Sequence, residues 1–208
     1  MSRAARLHLG RDPAFATLIG RIGPCTLRID RTRSPYEALV RAVAHQQLHA
    51  RAAAAMLGRL STLCAEGDIP APERLLSADD ATLRACGFSG TKIAALRDIA
   101  ARTIDGTVPS RRSAMRLSDA ALIERLTVIR GVGRWTVEMI LISTLGRPDV
   151  LPVDDFGVRE GYRLLHALDQ QPSPRALSAI GEAWSPHRSI AAWYLWRCVD
   201  AARATAEP

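Results

Sequence analysis

The chain has 208 residues, 48% of them hydrophobic, enough to bury a core as one domain or as two small lobes sharing an interface, without disulfide or metal staples. Lys and Arg number 28 against 21 Asp and Glu, giving a formal charge of +7 and a pI near 10.0; the surplus suits a polyanion such as nucleic acid, or simply keeps the protein in solution. No run approaches the ~20 apolar residues of a membrane helix, the start MSRAARLHLGRDP lacks an apolar run of signal-peptide length, and Cys25, Cys64, Cys86 and Cys198 are too scattered for a zinc or iron–sulfur site, so a soluble intracellular protein with reduced thiols is expected.

Along the chain, helix-start punctuation recurs. Asp12-Pro13 is the first instance, an N-cap residue followed by proline at the first helical position. PCTLRID, Pro24 to Asp30, is the one β-like piece, short enough to be an extended connection. Ser34-Pro35 repeats the start signal and extends it, because Glu37 stands at the third helical position and can complete a capping box with Ser34. In HQQLH, His45 and His49 have the i, i+4 spacing of metal ligands, but no glutamate follows His45 and no third ligand is evident, so no metal is expected there. Gly87, Gly106 and Pro109 mark turns, and Ile93, Leu96 and Ala100 share one helical face. Lys92, on that same helix, is the only lysine of the chain.

Leu122, Ile123, Leu126 and Ile129 give the next helix an apolar side, and RGVGR interrupts it. Trp135 to Leu145 is then apolar almost all round with Glu138 as its only charge, the mark of a buried helix. Glycines at 131 and 133 allow positive φ and keep side chains away, so consecutive N–H groups can point outward where the helix begins. Such a turn suits an anion, and with Arg130 and Arg134 beside it a DNA phosphate is a sensible ligand; a plain helix-to-helix turn is the alternative. Further on, Asp154 and Asp155 stand side by side before a helix expected to begin near Phe156, so one carboxylate should cap that helix while the other faces a cleft.

Val158, Tyr162 and Leu165 share a face of this helix, and Ser173-Pro174 and Ser185-Pro186 signal two more helix starts. Trp193 and Trp196, three apart on the last helix, fit either a core or a ligand contact. The pattern predicts about nine or ten helices with short links, an all-α protein without internal repeat. One unit over 1–208 is expected, with a middle lobe at about 35–150 that includes the hairpin 126–145, and a second lobe from the N-terminal segment and about 151–208.

The segment GVGRWTVEMILISTLGRPDVLPVDD resembles the helix-hairpin-helix DNA glycosylases (HhH-GPD superfamily) and is particularly similar to their 3-methyladenine DNA glycosylase II type, AlkA/Mag-like. SPYEALVRAVAHQQLHARAAAAML resembles the family's helix with its Q-Q signature, CGFSGTKIAALRDIA its next helical turn, and WSPHRSIAAWYLW its C-terminal helix. Together these segments cover about Asp12 to Arg197, and the extra N-terminal domain of longer AlkA proteins has no counterpart, so the compact form is expected. The resemblance implies a two-lobed all-α fold with a helix-hairpin-helix motif and a cleft between the lobes.

It also implies excision of alkylated purines, of the 3-methyladenine and 7-methylguanine type, from double-stranded DNA: the damaged nucleotide is flipped out and its N-glycosidic bond hydrolysed, which initiates base excision repair. Asp155 matches the catalytic aspartate and Asp154, the runner-up, the acid before it. Trp135, Phe156 and Trp196 match aromatic positions of the base pocket, and Met139 stands where the AlkA type has another tyrosine. Gln47 matches the wedge that fills the gap left by the flipped nucleotide, with Gln46 beside it, while Gly131, Gly133, Arg130 and Arg134 would hold phosphate.

Members that also cut the backbone carry a lysine where this chain has Trp135, so no lyase activity is expected. No cofactor is implied beyond the monovalent cation that relatives can hold at the hairpin. A monomer acting on DNA without a membrane partner is expected, in the cytoplasm or nucleoid if bacterial and intracellular in any case. Two alternatives stay open: a non-catalytic helix-hairpin-helix DNA-binding protein, which needs neither Asp155 nor the aromatic pocket, and a glycosylase of the same fold for another lesion.

Overall fold

The structure, a computed structural model, describes residues 3–64 and 67–206; the ends of the 1–208 span lie outside the described residues. In chain order the helices are α1 (Arg3–Leu9), α2 (Pro13–Ile22), α3 (Pro35–His45), α4 (Ala50–Ser61), α5 (Pro72–Ser77), α6 (Asp80–Ala85), α7 (Gly90–Ile104), α8 (Arg111–Ala114), α9 (Asp119–Thr127), α10 (Arg134–Ile140), α11 (Phe156–Leu165), α12 (Pro174–Gly181) and α13 (Arg188–Ala206). A π-helical turn, Leu141–Leu145, continues α10, and a 3₁₀ turn, Glu182–Trp184, follows α12. The protein is all-α, with no strand among the described residues and no helix long and apolar enough to cross a membrane. Residues 25–30 form neither helix nor strand, and Asp30 N–H donates to the Ser143 carbonyl at 2.9 Å.

Local chemistry explains most starts. Asp12 Oδ1 accepts the Ala14 and Phe15 amides at the head of α2, and Ser173 Oγ accepts Ala176 N–H at the head of α12. At α3 both arms of the capping box are made, Glu37 N–H to Ser34 Oγ at 3.2 Å and Ser34 N–H to Glu37 Oε2 at 2.7 Å. The fourth expected cap is not one: α13 begins at Arg188, and the Ser185 hydroxyl donates instead to Asp149 Oδ2 at 2.8 Å. The thirteen helices among the described residues exceed the nine or ten expected because α5, α6 and α8 have six residues or fewer, too short to display an apolar period.

The chain divides into two compact units, Met1–Ile29 with Gly146–Pro208, and Asp30–Leu145. In the continuous unit, α3 packs on α4, α7 and α10, and α9 on α10, with Leu39, Val43, Leu96, Leu126 and Val137 fully or nearly buried. In the unit built from both chain ends, Phe15 and Leu18 of α2, Val158 of α11, Leu177 of α12 and Trp184 share a core with α13. Residues Ala191 to Leu195 are all buried, so this stretch of α13 is surrounded on every side.

Within that core α11 lies directly on α13. A Cβ at Gly161 would lie 2.2 Å from the Leu195 carbonyl oxygen, so no side chain fits between the two backbones. Gly161→Ala is therefore expected to destabilise the protein by about 1–3 kcal/mol or more. The control is Gly20→Ala in α2, whose added Cβ meets nothing within 4 Å, and which should be stabilising by about 0.5–1 kcal/mol. Urea unfolding midpoints measure both, and they should move in opposite directions.

Candidate functional site

The acid pair sits where the chain turns into α11. Asp155 N–H closes a turn on the Pro152 carbonyl at 3.0 Å, leaving Asp154 exposed and Asp155 half-buried at the N-cap. Asp155 Oδ1 accepts two hydrogen bonds, from Val158 N–H at 2.7 Å and from the Trp196 indole Nε1–H at 2.8 Å. One acid of the pair is expected to cap the helix, and Asp155 is the one that does so. The helix begins at Phe156, so the cap position falls on Asp155, and the same carboxylate meets the indole.

The spacing of glycines makes that meeting possible. Gly157 stands one turn before Gly161 on the same face, and a Cβ there would lie 2.9 Å from Trp196 Cδ1 and 3.2 Å from Asp155 Oδ1. Trp196 is half-buried, whereas Trp193, three residues earlier, is 7% exposed and belongs to the core. Phe156 projects from the helix start and is 63% exposed, which leaves an apolar face beside the carboxylate.

The segment leading to the acids is stapled to the head of α13. Arg188 donates from Nε and Nη2 to the two oxygens of Asp149 at 2.8 and 2.9 Å, and its backbone N–H adds a third bond at 3.2 Å. Burial alone would raise the Asp149 carboxyl; the bonds from Arg188 and Ser185 outweigh it and hold the group below the ordinary carboxylate range. The Ser189 hydroxyl, 1% exposed as a residue, accepts Val150 N–H at 3.0 Å and donates to the Arg147 carbonyl at 2.7 Å. None of these contacts is visible as a motif; the signal is only that Ser, Arg and Ser recur in SPHRS.

The continuous unit carries the hairpin. Gly131 has φ +75° and a Cβ on it would come 3.2 Å from Ala95 Cβ of α7, so both the conformation and the close approach call for glycine. Gly133 needs a different reason: its φ is −91°, open to any residue, and a Cβ there would meet nothing within 4 Å. As the N-cap of α10 it makes no side-chain cap bond, which leaves the face over the first amides clear. Asp98 Oδ2 accepts Arg130 N–H at 2.7 Å and so anchors the turn to α7, while the exposed Arg134 donates from Nε to the buried Glu138 at 2.8 Å.

A cavity of about 750 Å³ opens in this unit, and Gln46, Gln47, Lys92, Trp135 and Met139 are among the residues lining it. Trp135 is 46% exposed and stands clear of the otherwise buried helix expected from the sequence. Gln47 is exposed with φ +57°, and Gln46, half-buried, gives its amide Nε2–H to the Gly131 carbonyl at 2.8 Å. Lys92 borders the cavity too, but donates from Nζ to the Ala44 carbonyl at the end of α3, and burial lowers its pKa. The expected residues thus fall in two groups: Gln46, Gln47, Trp135 and Met139 around one cavity beside the hairpin, and Asp155, Phe156 and Trp196 together at the head of α11.

A model of the HhH-GPD superfamily of base excision DNA repair proteins matches residues 40–187, and the chain belongs to that superfamily. Within it, the chain is 46% identical to DNA-3-methyladenine glycosylase 1 of Schizosaccharomyces pombe over 93% of its own length and 86% of the relative's. A solved structure of the Schizosaccharomyces pombe 3-methyladenine DNA glycosylase in complex with abasic DNA superposes with a TM-score of 0.85 at 45% identity, covering 93% of this chain and 95% of that one. A DNA-3-methyladenine glycosidase from Bacillus halodurans superposes at 0.84 with 31% identity, over 99% of this chain and 92% of that one.

Because the Asp149 carboxyl is held below its unfolded value, it contributes stability that is present above the ordinary carboxylate range and is lost as pH falls through it. Asp149→Asn should cost about 2 kcal/mol at pH 7. The gap to the parent should shrink as pH drops below about 4. Denaturant titrations at a series of pH values check both the size and the slope.

Proposed function

We propose that the protein is a monofunctional DNA glycosylase that removes alkylated purines of the 3-methyladenine and 7-methylguanine type from double-stranded DNA. The observation that carries this reading is the Asp155 carboxylate, fixed by the amide of Val158 and the indole of Trp196 next to the exposed ring of Phe156, in a chain of this superfamily. The names of its relatives support the substrate class. The reaction places the protein with the genome, inside the cell.

The chemistry follows from the leaving group. A base within a duplex is out of reach, so the damaged nucleotide is turned out of the stack, and Gln47 fills the gap it leaves. The hairpin amides and Arg130 hold the DNA backbone meanwhile. Alkylation at a ring nitrogen gives the purine a positive charge, which suits the electron-rich faces of Phe156 and Trp196 beside the acid. When the N-glycosidic bond breaks, its electron pair leaves with the base, which departs neutral, and positive charge builds on the sugar. The carboxylate of Asp155 stabilises that charge. Water then adds to the anomeric carbon and gives up a proton to the carboxylate, leaving an abasic site.

Strand cleavage needs an amine to attack that carbon. Trp135 supplies none, and the Lys92 amine is taken up by the Ala44 carbonyl. Methylated duplex DNA incubated with the protein should release 3-methyladenine or 7-methylguanine, identified by chromatography. Asp155→Asn is expected to slow release at least about 100-fold while retaining DNA binding. Binding with no release by the parent protein would instead favour a non-catalytic DNA-binding role. In the same reactions, strands should stay intact without alkali or heat, and borohydride should trap no covalent complex; efficient trapping contradicts the monofunctional assignment.

A further inference from the structure

The two adjacent glutamines of the HQQLH turn do different jobs. Gln47 is exposed and takes a left-handed conformation, φ +57°, that is costly for a residue with a side chain. Gln46, the C-cap of α3, has φ −56° and ψ 127°, with its own N–H on the Ala42 and Val43 carbonyls, and sends its amide to the Gly131 carbonyl 85 residues away. A contact over that distance in the chain is no local cap. It joins the turn presenting Gln47 to the glycine turn of the hairpin.

Both turns are already referred to one helix. Lys92, Ala95 and Asp98 of α7, three apart on one face, hold respectively the Ala44 carbonyl at the end of α3, the space against Gly131, and the Arg130 amide. Gln46 closes the remaining side of this triangle. We infer that Gln46 is a positioning residue that couples the hairpin to the wedge: through Gly131 it holds the strained turn in which Gln47 projects, so that gripping the DNA backbone and inserting Gln47 become one event. The inference rests on the reading of the hairpin and Gln47 as DNA contacts given above.

The test uses a duplex with a tetrahydrofuran abasic analogue opposite 2-aminopurine, whose fluorescence reports insertion beside it. Gln46→Met keeps the shape and loses the donor, and its affinity for undamaged duplex serves as the reference against which the loss on the abasic duplex is read. It should lose about three- to tenfold in affinity for the abasic duplex, with a smaller fluorescence change. Gln46→Glu, which turns an acceptor toward the Gly131 carbonyl, should move the same way. In a Gln47→Ala background, Gln46→Met should cost nothing further, because Gln46 acts through Gln47. Parent-like behaviour of Gln46→Met, or an equal loss on both backgrounds, overturns the inference. No base is released in this assay, so a failure of the glycosylase reading shows separately, as the absence of purine release from methylated DNA.

Discussion

Gly161 lets α11 lie against the Leu195 carbonyl of α13 with no side chain between them, and the geometry of the acid depends on that contact. Trp196 follows Leu195, so the closeness of the two backbones carries the indole past Gly157 to the head of α11, where its N–H meets Asp155. The carboxylate is then oriented by two donors on different helices, an amide in its own first turn and a ring anchored in a buried neighbour. Groups fixed in this way need little reorganisation when charge develops near them, which is how a single carboxylate can contribute several kcal/mol to a barrier, on the order of 3 for one well-placed group. The Asp149–Arg188 pair serves the same end from the other side, fixing the strand of backbone that delivers the acid.

In the continuous unit a helix face plays the corresponding part. Three side chains of α7 in steps of three place the end of α3 and the hairpin in one frame. Helix faces are rigid over this distance, about 9 Å for six residues, so two turns far apart in sequence share a common reference. The amphipathic pattern of α7, with Ile93, Leu96, Ile99 and Ala100 buried, seats that reference firmly in the core.

What the sequence made legible was whatever local chemistry decides. The helical class, three of the four proline-marked starts and the Ser34–Glu37 box follow from residues within one turn of each other. The resemblance supplied the positions of the hairpin, the acid pair and the aromatics. What escaped was settled by partners far along the chain. Ser185-Pro186 has the form of a cap, yet Asp149, 36 residues away, takes its hydroxyl. Gln46 and Gln47 are chemically identical, and a carbonyl in the hairpin tells them apart. Trp193 and Trp196 share a spacing, and only burial separates them. Gly157 and Gly161 pass for weak points in a helix until Leu195 and Trp196 arrive opposite them.

One consequence lies in the order of synthesis. The unit holding Asp155 is assembled from both ends of the sequence, while Asp30–Leu145 is continuous within it. The portion with the hairpin and the glutamine turn is complete as soon as residue 145 has emerged, whereas Phe15 and Leu18 must wait for α11 and α13 before their apolar surface is covered. A nascent chain therefore has the hairpin and the glutamine turn in place well before Asp155 is held, and α13, made after both, closes the second core and orients the carboxylate. Truncation anywhere before Trp196 removes the indole donor to Asp155, so the full setting of that carboxylate waits until α13 has been made.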